Sequence, residues 1–174
     1  MFERIMQRRG FMAILAALAG LGGLWLWRQR STAPKLANVG SSDIEPLQLS
    51  PAQWRDRLSE RAYRVLRQGT TEPRGSSSLL GEQRQGTYHC AGCDLLLFRS
   101  AWKYDSGTGW PSFYRVVRAH VETQPDNKLL YRRTEYHCAR CGGHQGHVFE
   151  DGPDPTGLRW CNNGVALTFH PSAT

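Results

Sequence analysis

The sequence predicts a mainly β domain that follows short helices and an apolar N-terminal segment. From residue 87 onward, short strand-like runs are separated by Gly, Pro, Asp and Asn, a pattern typical of strands joined by turns. Two Cys-x-x-Cys pairs also recur 48 residues apart, inside the related hexapeptides at residues 88–93 and 136–141. At 174 residues, the chain is long enough for one domain with its own core.

The positive charge of the chain is concentrated at its N-terminus. The formal net charge of the whole sequence is +7. Residues 1–35 hold six Arg or Lys and one Glu, a net +5, and the rest of the chain holds 16 basic and 14 acidic residues, a net +2. This distribution points to a membrane as the partner of the N-terminus and argues against a nucleic-acid-binding domain.

An uncharged, mostly apolar run at residues 11–27 predicts a membrane anchor or export signal helix. Its seventeen residues are near the lower limit for crossing a bilayer. Arg8-Arg9 resembles the start of a twin-arginine export signal. Trp25 and Trp27, however, stand where a cleavage site needs small residues, and they suit an interfacial anchor. We therefore expect a membrane-anchored or exported protein on the periplasmic or extracytoplasmic side, with a cytoplasmic protein as the alternative.

The composition divides the chain into an N-terminal segment at residues 1–30, a Ser-, Pro-, Ala- and Gly-rich linker at residues 31–49 and a domain at residues 50–171. Ser50 can cap a first helix of the domain, and Ser59 can cap a second. The apolar residues of both helices recur three or four positions apart, so we expect the helices to pack on the sheets. The residues that carry these signals are Pro51, Gln53, Trp54, Leu58, Ala62, Val65, Leu66 and Gly69.

Four segments of the domain have the composition and alternation of half-buried strands. They lie at residues 95–98, 113–117, 129–133 and 165–169. Turn formers at residues 151–157 predict a loop ahead of the last of these strands.

The paired cysteines predict a structural zinc site. Zn²⁺ takes four soft ligands at tetrahedral corners, and each Cys-x-x-Cys turn supplies two of them. Two such turns close the coordination sphere and leave no open position for catalysis. A pair of disulfides is the alternative, although doubled Cys-x-x-Cys turns are a metal-binding spacing. The expected ligands are Cys90, Cys93, Cys138 and Cys141.

Cys161 is the cysteine that the pairs leave over, and it is a candidate reactive thiol. It lies between Arg159 and Asn163, after the predicted loop, and His144 and His147 precede it in the sequence. Cationic neighbours would favour a thiolate over a thiol. The alternatives are a buried thiol that acts as a small apolar residue and, for the two histidines, ligation of zinc, whose coordination sphere the cysteines already fill.

These motifs together resemble the B-type methionine sulfoxide reductases, which act on the R epimer of methionine sulfoxide. Order and spacing agree from about residue 49 to residue 171. The resemblance implies a zinc-stapled fold of two antiparallel sheets, with helices ahead of them. The matching motifs are Cys90-x-x-Cys93, residues 106–113, Cys138-x-x-Cys141, residues 144–149, Asp151-Gly152-Pro153 and Arg159-Trp160-Cys161-x-Asn163.

The resemblance also implies a role for each site residue. A sulfoxide sulfur becomes electrophilic when its oxygen is protonated, so the reaction needs a thiolate, an acid and an apolar cradle for the S-methyl group. Cys161 is the expected nucleophile, and its attack would leave methionine and a sulfenic acid. His144 and His147 would bind and protonate the oxygen, and Trp110 would be the cradle. The residues expected to position and polarise the substrate are Arg159 and Asn163.

The chain departs from the family pattern at two places. Some relatives carry a second, resolving cysteine where this chain has Thr108, so reduction of the sulfenic acid is expected from an external thiol, either a thioredoxin-like protein or a small thiol. The family also usually has an aromatic residue after its Thr-Glu-Pro motif, where Arg74-Gly75 follows Pro73 here. The expected function is repair of oxidative damage by reduction of free or protein-bound methionine-R-sulfoxide.

Two other classes of protein would share some of these features. A non-catalytic zinc-binding interaction module would explain the cysteine pairs and a groove, but it gives no reason for Cys161 beside Arg159 and Asn163. A disulfide oxidoreductase would need a Cys-x-x-Cys pair that is free of metal. Metal analysis of the purified protein separates these hypotheses.

Overall fold

Two antiparallel sheets form the domain in the computed structural model, which describes residues 44–128 and 132–173. Two helices precede the sheets, α1 (Pro51–Arg57) and α2 (Glu60–Gln68). The strands are β1 (Gly86–Cys90), β2 (Leu96–Arg99), β3 (Lys103–Tyr104), β4 (Ser112–Phe113), β5 (Val121–Asp126), β6 (Arg133–Cys138), β7 (His144–Phe149), β8 (Arg159–Asn162) and β9 (Leu167–Pro171). Four single 3-10 turns lie at Ser78–Leu80, Ser100–Trp102, Arg118–His120 and Gly164–Ala166.

The capping signals of both helices are confirmed. The Ser50 hydroxyl accepts a hydrogen bond from the Gln53 N–H (3.3 Å), and the Gln53 side chain accepts one from the Ser50 N–H (2.8 Å), which completes the predicted capping box. The Ser59 hydroxyl accepts from the Ala62 N–H in the same way (3.2 Å). Helix α2 ends at Gly69, whose left-handed conformation (φ 66°) suits a residue without a Cβ.

The helices cover the cysteine pairs and one face of the larger sheet. Trp54 is 3% exposed, and the Arg67 guanidinium lies 4.7 Å from its ring centroid. The same Arg67 donates a hydrogen bond to the Cys141 carbonyl (2.8 Å), which ties α2 to the second cysteine pair. Val65 and Leu66 are buried against β7 and the 3-10 turn at Gly164–Ala166. Each such side chain contributes about 1.5–3 kcal/mol by leaving water.

The smaller sheet has the order β2-β1-β9, and the larger sheet has the order β3-β4-β8-β7-β6-β5. Aromatic side chains from both sheets meet in the core. Phe98 of β2 stacks on Phe113 of β4 at 4.0 Å between ring centroids, and Tyr88 of β1 meets the same Phe113 edge-on at 5.0 Å. These contacts join the two sheets. Within the larger sheet, β8 is an interior strand that lies between β4 and β7.

Three of the predicted strands need correction. The strand expected at residues 113–117 ends at Phe113. The residues after it form isolated backbone hydrogen bonds outside the larger sheet, such as the one from the Val117 N–H to the Leu97 carbonyl (2.9 Å). The strand expected at residues 165–169 begins at Leu167, since a 3-10 turn precedes it. Of the strand expected at residues 129–133, residues 129–131 lie outside the described residues, and β6 begins at Arg133.

The remaining predicted strand, at residues 95–98, is confirmed as β2 within one residue. The predicted anchor at residues 1–30 and the linker up to residue 43 lie outside the described residues. Over residues 44–128 and 132–173, no helix has both the length and the apolarity needed to cross a membrane. The last linker residues lie against the domain, where the Leu47 N–H donates a hydrogen bond to the Arg140 carbonyl (2.7 Å).

Candidate active site and metal centre

The four paired cysteines come together in one buried cluster, as predicted. Each is at most 6% exposed, and the four sulfur atoms lie within 4.8 Å of one another. The Sγ–Sγ distances are 3.6 Å for Cys90 and Cys141 and 3.5 Å for Cys93 and Cys138. A disulfide requires about 2.05 Å, whereas four thiolates at about 2.3 Å from a central Zn²⁺ would be about 3.8 Å apart. The arrangement is therefore that of a metal-binding site.

The two cysteine pairs are built alike. In each, the fourth residue after the first cysteine takes a left-handed conformation, Asp94 (φ 62°) after Cys90 and Gly142 (φ 65°) after Cys138. The N–H of that residue donates to the carbonyl of the first cysteine, at 2.8 Å in both turns. The resulting turns point both thiols of each pair toward the cluster. The sequence repeat is thus a repeat of local structure.

The cluster also joins the two sheets. In the smaller sheet, Cys90 ends β1 and Cys93 lies in the β1–β2 turn. In the larger sheet, Cys138 ends β6 and Cys141 lies in the β6–β7 turn. Hydrogen bonds with the other three thiols lower the pKa of Cys93 and raise that of Cys90. The four thiols therefore cannot all lose their protons unless a cation compensates the charge, which is the condition a bound metal ion satisfies.

Cys161 lies within β8, which directly follows the loop predicted at residues 151–157. Across the sheet, its register partners are Ser112 in β4 and His147 in β7. Burial raises the pKa of the Cys161 thiol above its ordinary value, while the charge of Arg159 and hydrogen bonds with Thr108 and Arg159 lower it in part. The backbone of β7 lies close to that of β8 at this point, and only glycine fits at position 146, since a Cβ there would collide with the Cys161 carbonyl.

A cavity of about 340 Å³ opens at Cys161. Four other predicted site residues line it with Cys161: Trp110, His147, Arg159 and Asn163. His144, the remaining one, is not among the lining residues. A larger cavity of about 580 Å³ shares Trp110 but not Cys161. We take the smaller cavity as the candidate active site, because a reacting sulfur must reach it.

Each of the two histidines pairs with a carboxylate. His144 is 5% exposed, and its Nδ1 lies 2.7 Å from the Glu135 Oε1. His147 places its Nε2 2.8 Å from the Asp126 Oδ2. Burial lowers the pKa of both imidazoles below the ordinary value, although their carboxylate partners oppose this. Both rings are therefore neutral at pH 7, and each uses its one N–H on a carboxylate.

The expected positioning residues are themselves held firmly. Arg159 donates two hydrogen bonds to Asp151, both 2.8 Å long, and its guanidinium lies 4.2 Å from the Phe149 ring centroid. Asn163 is 3% exposed and donates to the Gln145 carbonyl (2.9 Å). Both side chains thus enter the cavity with fixed orientations.

Glu72, which no sequence pattern predicted, supports two residues of the site. Its carbonyl accepts from the Trp110 indole N–H (3.1 Å), and its own N–H donates to the Asn163 side chain (3.0 Å). Its carboxylate accepts from the N–H groups of Gly164 and Val165. Glu72 therefore connects the cradle residue to the loop that follows Cys161. A partner 92 residues away leaves no signal in a local sequence pattern.

The departure from the family pattern after Pro73 has a structural counterpart. The Arg74 guanidinium donates to the Gly107 carbonyl (3.0 Å), and the Gly75 N–H donates to the Gly109 carbonyl (2.8 Å). These bonds fasten the residues that follow Pro73 to the loop that carries Thr108.

A second polar cluster joins the strands of the smaller sheet. The rings of His89 and His170 are stacked at 4.2 Å between centroids, and Asp94 lies within 3.5 Å of a nitrogen of each. Both nitrogens of His89 already have partners, the Thr87 hydroxyl (3.0 Å) and the Asp94 carbonyl (2.9 Å). This cluster fastens β1 to β9.

Comparison with known proteins places this chain in a family. The SelR domain family matches residues 58–171. A protein of Leptospira interrogans named peptide methionine sulfoxide reductase MsrB is 49% identical over 121 residues, which cover 69% of this chain and 92% of that protein. A protein of the same name from Leifsonia xyli is 51% identical over 124 residues, covering 70% and 89% of the two chains. The chain therefore belongs to the MsrB family and is a peptide-methionine (R)-S-oxide reductase, an oxidoreductase.

Proposed function

We propose that Cys161 reduces methionine-R-sulfoxide by taking its oxygen as a sulfenic acid, while the four clustered cysteines hold one structural Zn²⁺ ion. The observation that supports this most is that β8 places Cys161 opposite His147, in the cavity that Trp110 and Asn163 also line. A nucleophile, a proton carrier, an apolar wall and a polar anchor thus share one small space.

The resting site holds a thiol and a neutral imidazole. Since burial raises the pKa of Cys161 and lowers that of His147, both groups are uncharged at pH 7. Transfer of the thiol proton to His147 would create both species that the reaction requires, a thiolate and an imidazolium. Asp126 supports the imidazolium, since hydrogen bonds from the Lys128 N–H and His147 hold the pKa of this carboxyl well below its ordinary value.

The atoms and electrons of the step balance without a further reactant. The Cys161 thiolate attacks the sulfoxide sulfur as His147 protonates the oxygen. This attack forms a bond between the two sulfur atoms. That bond and the bond from the methionine sulfur to oxygen then break as the protonated oxygen moves to the Cys161 sulfur, so methionine sulfoxide is reduced by two electrons and the cysteine is oxidised to a sulfenic acid. The proton that left the thiol ends on the sulfenic acid oxygen.

Trp110 and the histidines would select the epimer. The indole plane of Trp110, fixed by its bond to the Glu72 carbonyl, offers an apolar wall for the S-methyl group. With the methyl group against Trp110 and His147 on the other side, only one of the two epimers can point its oxygen at the proton donor. His144 lies next to His147, with 5.6 Å between ring centroids, and is hydrogen-bonded to Glu135. Its contribution to catalysis would therefore be indirect, through its contact with His147.

Zinc would act as a staple between the sheets. Cys90, Cys93, Cys138 and Cys141 would hold it, and when bound it supplies a cross-link and no open coordination position. Gln145 supports this assignment, because its side-chain N–H donates to the Cys90 sulfur (3.3 Å) as an outer partner of a metal thiolate does.

An external thiol must complete the cycle. The chain has five cysteines, and the four other than Cys161 form the buried cluster. Two equivalents of an external thiol would convert the sulfenic acid to the thiol and release water and a disulfide. Cys161 is only partly buried and lines a cavity, a position that suits a small thiol or a thioredoxin-like protein. We further propose that the N-terminal segment anchors or exports this domain.

The proposal is tested by an activity assay with the separate R and S epimers and dithiothreitol as reductant. Wild-type protein should consume the R epimer and leave the S epimer almost untouched. Cys161→Ser should bind its metal and fold as wild type but show no turnover. Cys93→Ser is the matched control, because the same substitution there should lower metal content and stability instead. Turnover of the R epimer by Cys161→Ser would overturn the proposal.

A further inference from the structure

A chain of three hydroxyl groups leads from the interior of the larger sheet to Cys161. The Ser112 hydroxyl lies 2.7 Å from that of Ser106, which lies 2.8 Å from that of Thr108. Thr108 lines the same cavity as Cys161, and its hydroxyl lowers the pKa of the Cys161 thiol by hydrogen bonding. Ser112 is fully buried and is also the register partner of Cys161 across β4 and β8. The hydroxyl chain therefore starts at Ser112 and ends at Cys161, two residues that the larger sheet holds side by side.

Each hydroxyl has one hydrogen, so the direction of donation along the chain is constrained. When Cys161 is a thiol, its S–H donates to Thr108, Thr108 donates to Ser106, and Ser106 donates to Ser112. Ser112 can then donate to the Trp110 carbonyl at 3.1 Å, so that every hydrogen has an acceptor. When Cys161 is a thiolate, the three hydroxyls can rotate so that Ser112 donates to Ser106, Ser106 to Thr108, and Thr108 to the sulfur. No heavy atom has to move.

We propose that Thr108 is a positioning residue for the reaction, whose hydroxyl, backed by Ser106 and Ser112, donates a hydrogen bond to the Cys161 thiolate. Such a bond to a charged acceptor is stronger than one between neutral groups, and Thr108 makes it only after Cys161 has lost its proton. The inference rests on the proposed function, in which Cys161 is the reacting thiol.

The hydroxyl chain matters because few other groups compensate the charge of a thiolate here. The titratable and charged groups around Cys161 come from five elements. They are Arg159 on its own strand, His147 on β7, Tyr104 on β3, Tyr136 and Arg133 on β6, and Asp151 in the loop that precedes β8. Arg159 is already paired with Asp151, and His147 with Asp126. Asp151 opposes the thiolate. A neutral hydroxyl adds stabilisation without adding a charge that would compete with these pairs.

The loop that carries Thr108 is fixed, so the hydroxyl keeps its place. The Thr108 N–H donates to the Ser106 hydroxyl (3.4 Å), and the Gly107 N–H donates to the Asp105 carboxylate (2.8 Å). Arg74 and Gly75 hold the loop from outside through the bonds described above. Thr108 stands where some relatives carry a resolving cysteine, and in this chain the position serves the reacting thiol through a hydrogen bond.

The test is the pH dependence of alkylation of Cys161 by iodoacetamide in the full chain, followed on the Cys161 peptide by mass spectrometry. Thr108→Val, which keeps the shape and removes the hydroxyl, should move the alkylation midpoint up by about one pH unit and slow the reaction about tenfold at a fixed pH below it. Thr108→Ser should restore wild-type behaviour. Ser106→Ala should shift the midpoint in the same direction by less, because it removes the support of the Thr108 hydroxyl.

Two controls keep the outcomes distinct. Metal content and the unfolding midpoint report whether a variant folds, and Thr108→Ala replaces Thr108→Val if the latter does not. Alkylation requires no methionine sulfoxide, so it tests the hydroxyl chain separately from the proposed function. If the midpoint depends on Thr108 but the protein does not reduce methionine sulfoxide, only the proposed function is wrong. A midpoint that is the same in wild type and the folded Thr108 variants, or in wild type and Ser106→Ala, would overturn the hydroxyl chain.

Discussion

Cys161 and His147 are directly opposite each other on neighbouring antiparallel strands, β8 and β7. One group of the pair is a thiol whose pKa burial raises, and the other is an imidazole whose pKa burial lowers. The sheet thus holds a proton donor and a proton acceptor in register.

His147→Ala should lower the rate of sulfoxide reduction by about two to four orders of magnitude, because it removes the group that carries the thiol proton to the oxygen. Steady-state assays with the R epimer measure this. His170→Ala is the matched control, since His170 lies on β9 in the smaller sheet, outside the lining of the active-site cavity, and it should retain wild-type rates. A His147→Ala enzyme with wild-type kcat would remove His147 from the mechanism.

Loss of any one cluster cysteine should lower metal content and the free energy of unfolding together, because metal binding is part of the folding free energy. Cys138→Ser is a suitable variant, since Cys138 is fully buried between the sheets. Metal analysis and thermal unfolding of the same samples make the comparison. Freshly purified protein that is folded and metal-free, with stoichiometric disulfides in the cluster, would contradict the zinc assignment.

Acidification should destabilise the protein below about pH 6.5, the ordinary imidazole value. Burial lowers the pKa of His144 in the folded state, so between the two pKa values the unfolded state binds more protons and stability falls as the pH falls. His144→Gln, which can still donate to Glu135, should lose less stability between pH 7 and pH 5.5 than wild type. Urea unfolding at each pH, with metal content followed in parallel, measures the difference. Identical pH dependence in the two proteins would refute this account of His144.

Full-length protein should sediment with membranes, whereas a chain that lacks residues 1–35 should remain in the supernatant. The basis is the apolar run at residues 11–27 with Arg residues on both sides, which lies outside the described residues. Fractionation with an antibody against the domain measures the distribution. Recovery of full-length protein, with its N-terminus intact, in the cytosolic fraction would contradict the anchor.

Local signals predicted the parts of the structure that local interactions build. The caps at Ser50 and Ser59 and the cysteine pairs depend on residues three or four positions apart, so their patterns were sufficient. The strand that contains Cys161 was missed, because β8 is defined by pairing with β4 and β7 rather than by its own alternation. The 3-10 turn at Gly164–Ala166 buries Ala166 completely, whereas the alternation of a strand at residues 165–169 would place Ala166 on the exposed face.

The supporting residues of the site could not have been predicted from spacing alone. Asp126 reaches His147 across 21 residues of sequence, and Glu72 reaches the loop after Cys161 across more than 90. Such pairs depend on the register of the strands and on how the segment after α2 folds back over the sheet. The resemblance to a family predicted which residues react, and the structure shows which contacts hold each of those residues in place.

The most direct test is a single turnover without reductant. Wild-type protein receives one equivalent of methionine-R-sulfoxide, a dimedone-type probe traps sulfenic acids, and mass spectrometry locates the adduct. The account predicts one equivalent of methionine and one adduct on Cys161, with no intramolecular disulfide, because Thr108 cannot resolve the sulfenic acid and the other cysteines are held in the cluster. Methionine formed while Cys161 stays unmodified, or a disulfide between Cys161 and a cluster cysteine, would contradict it.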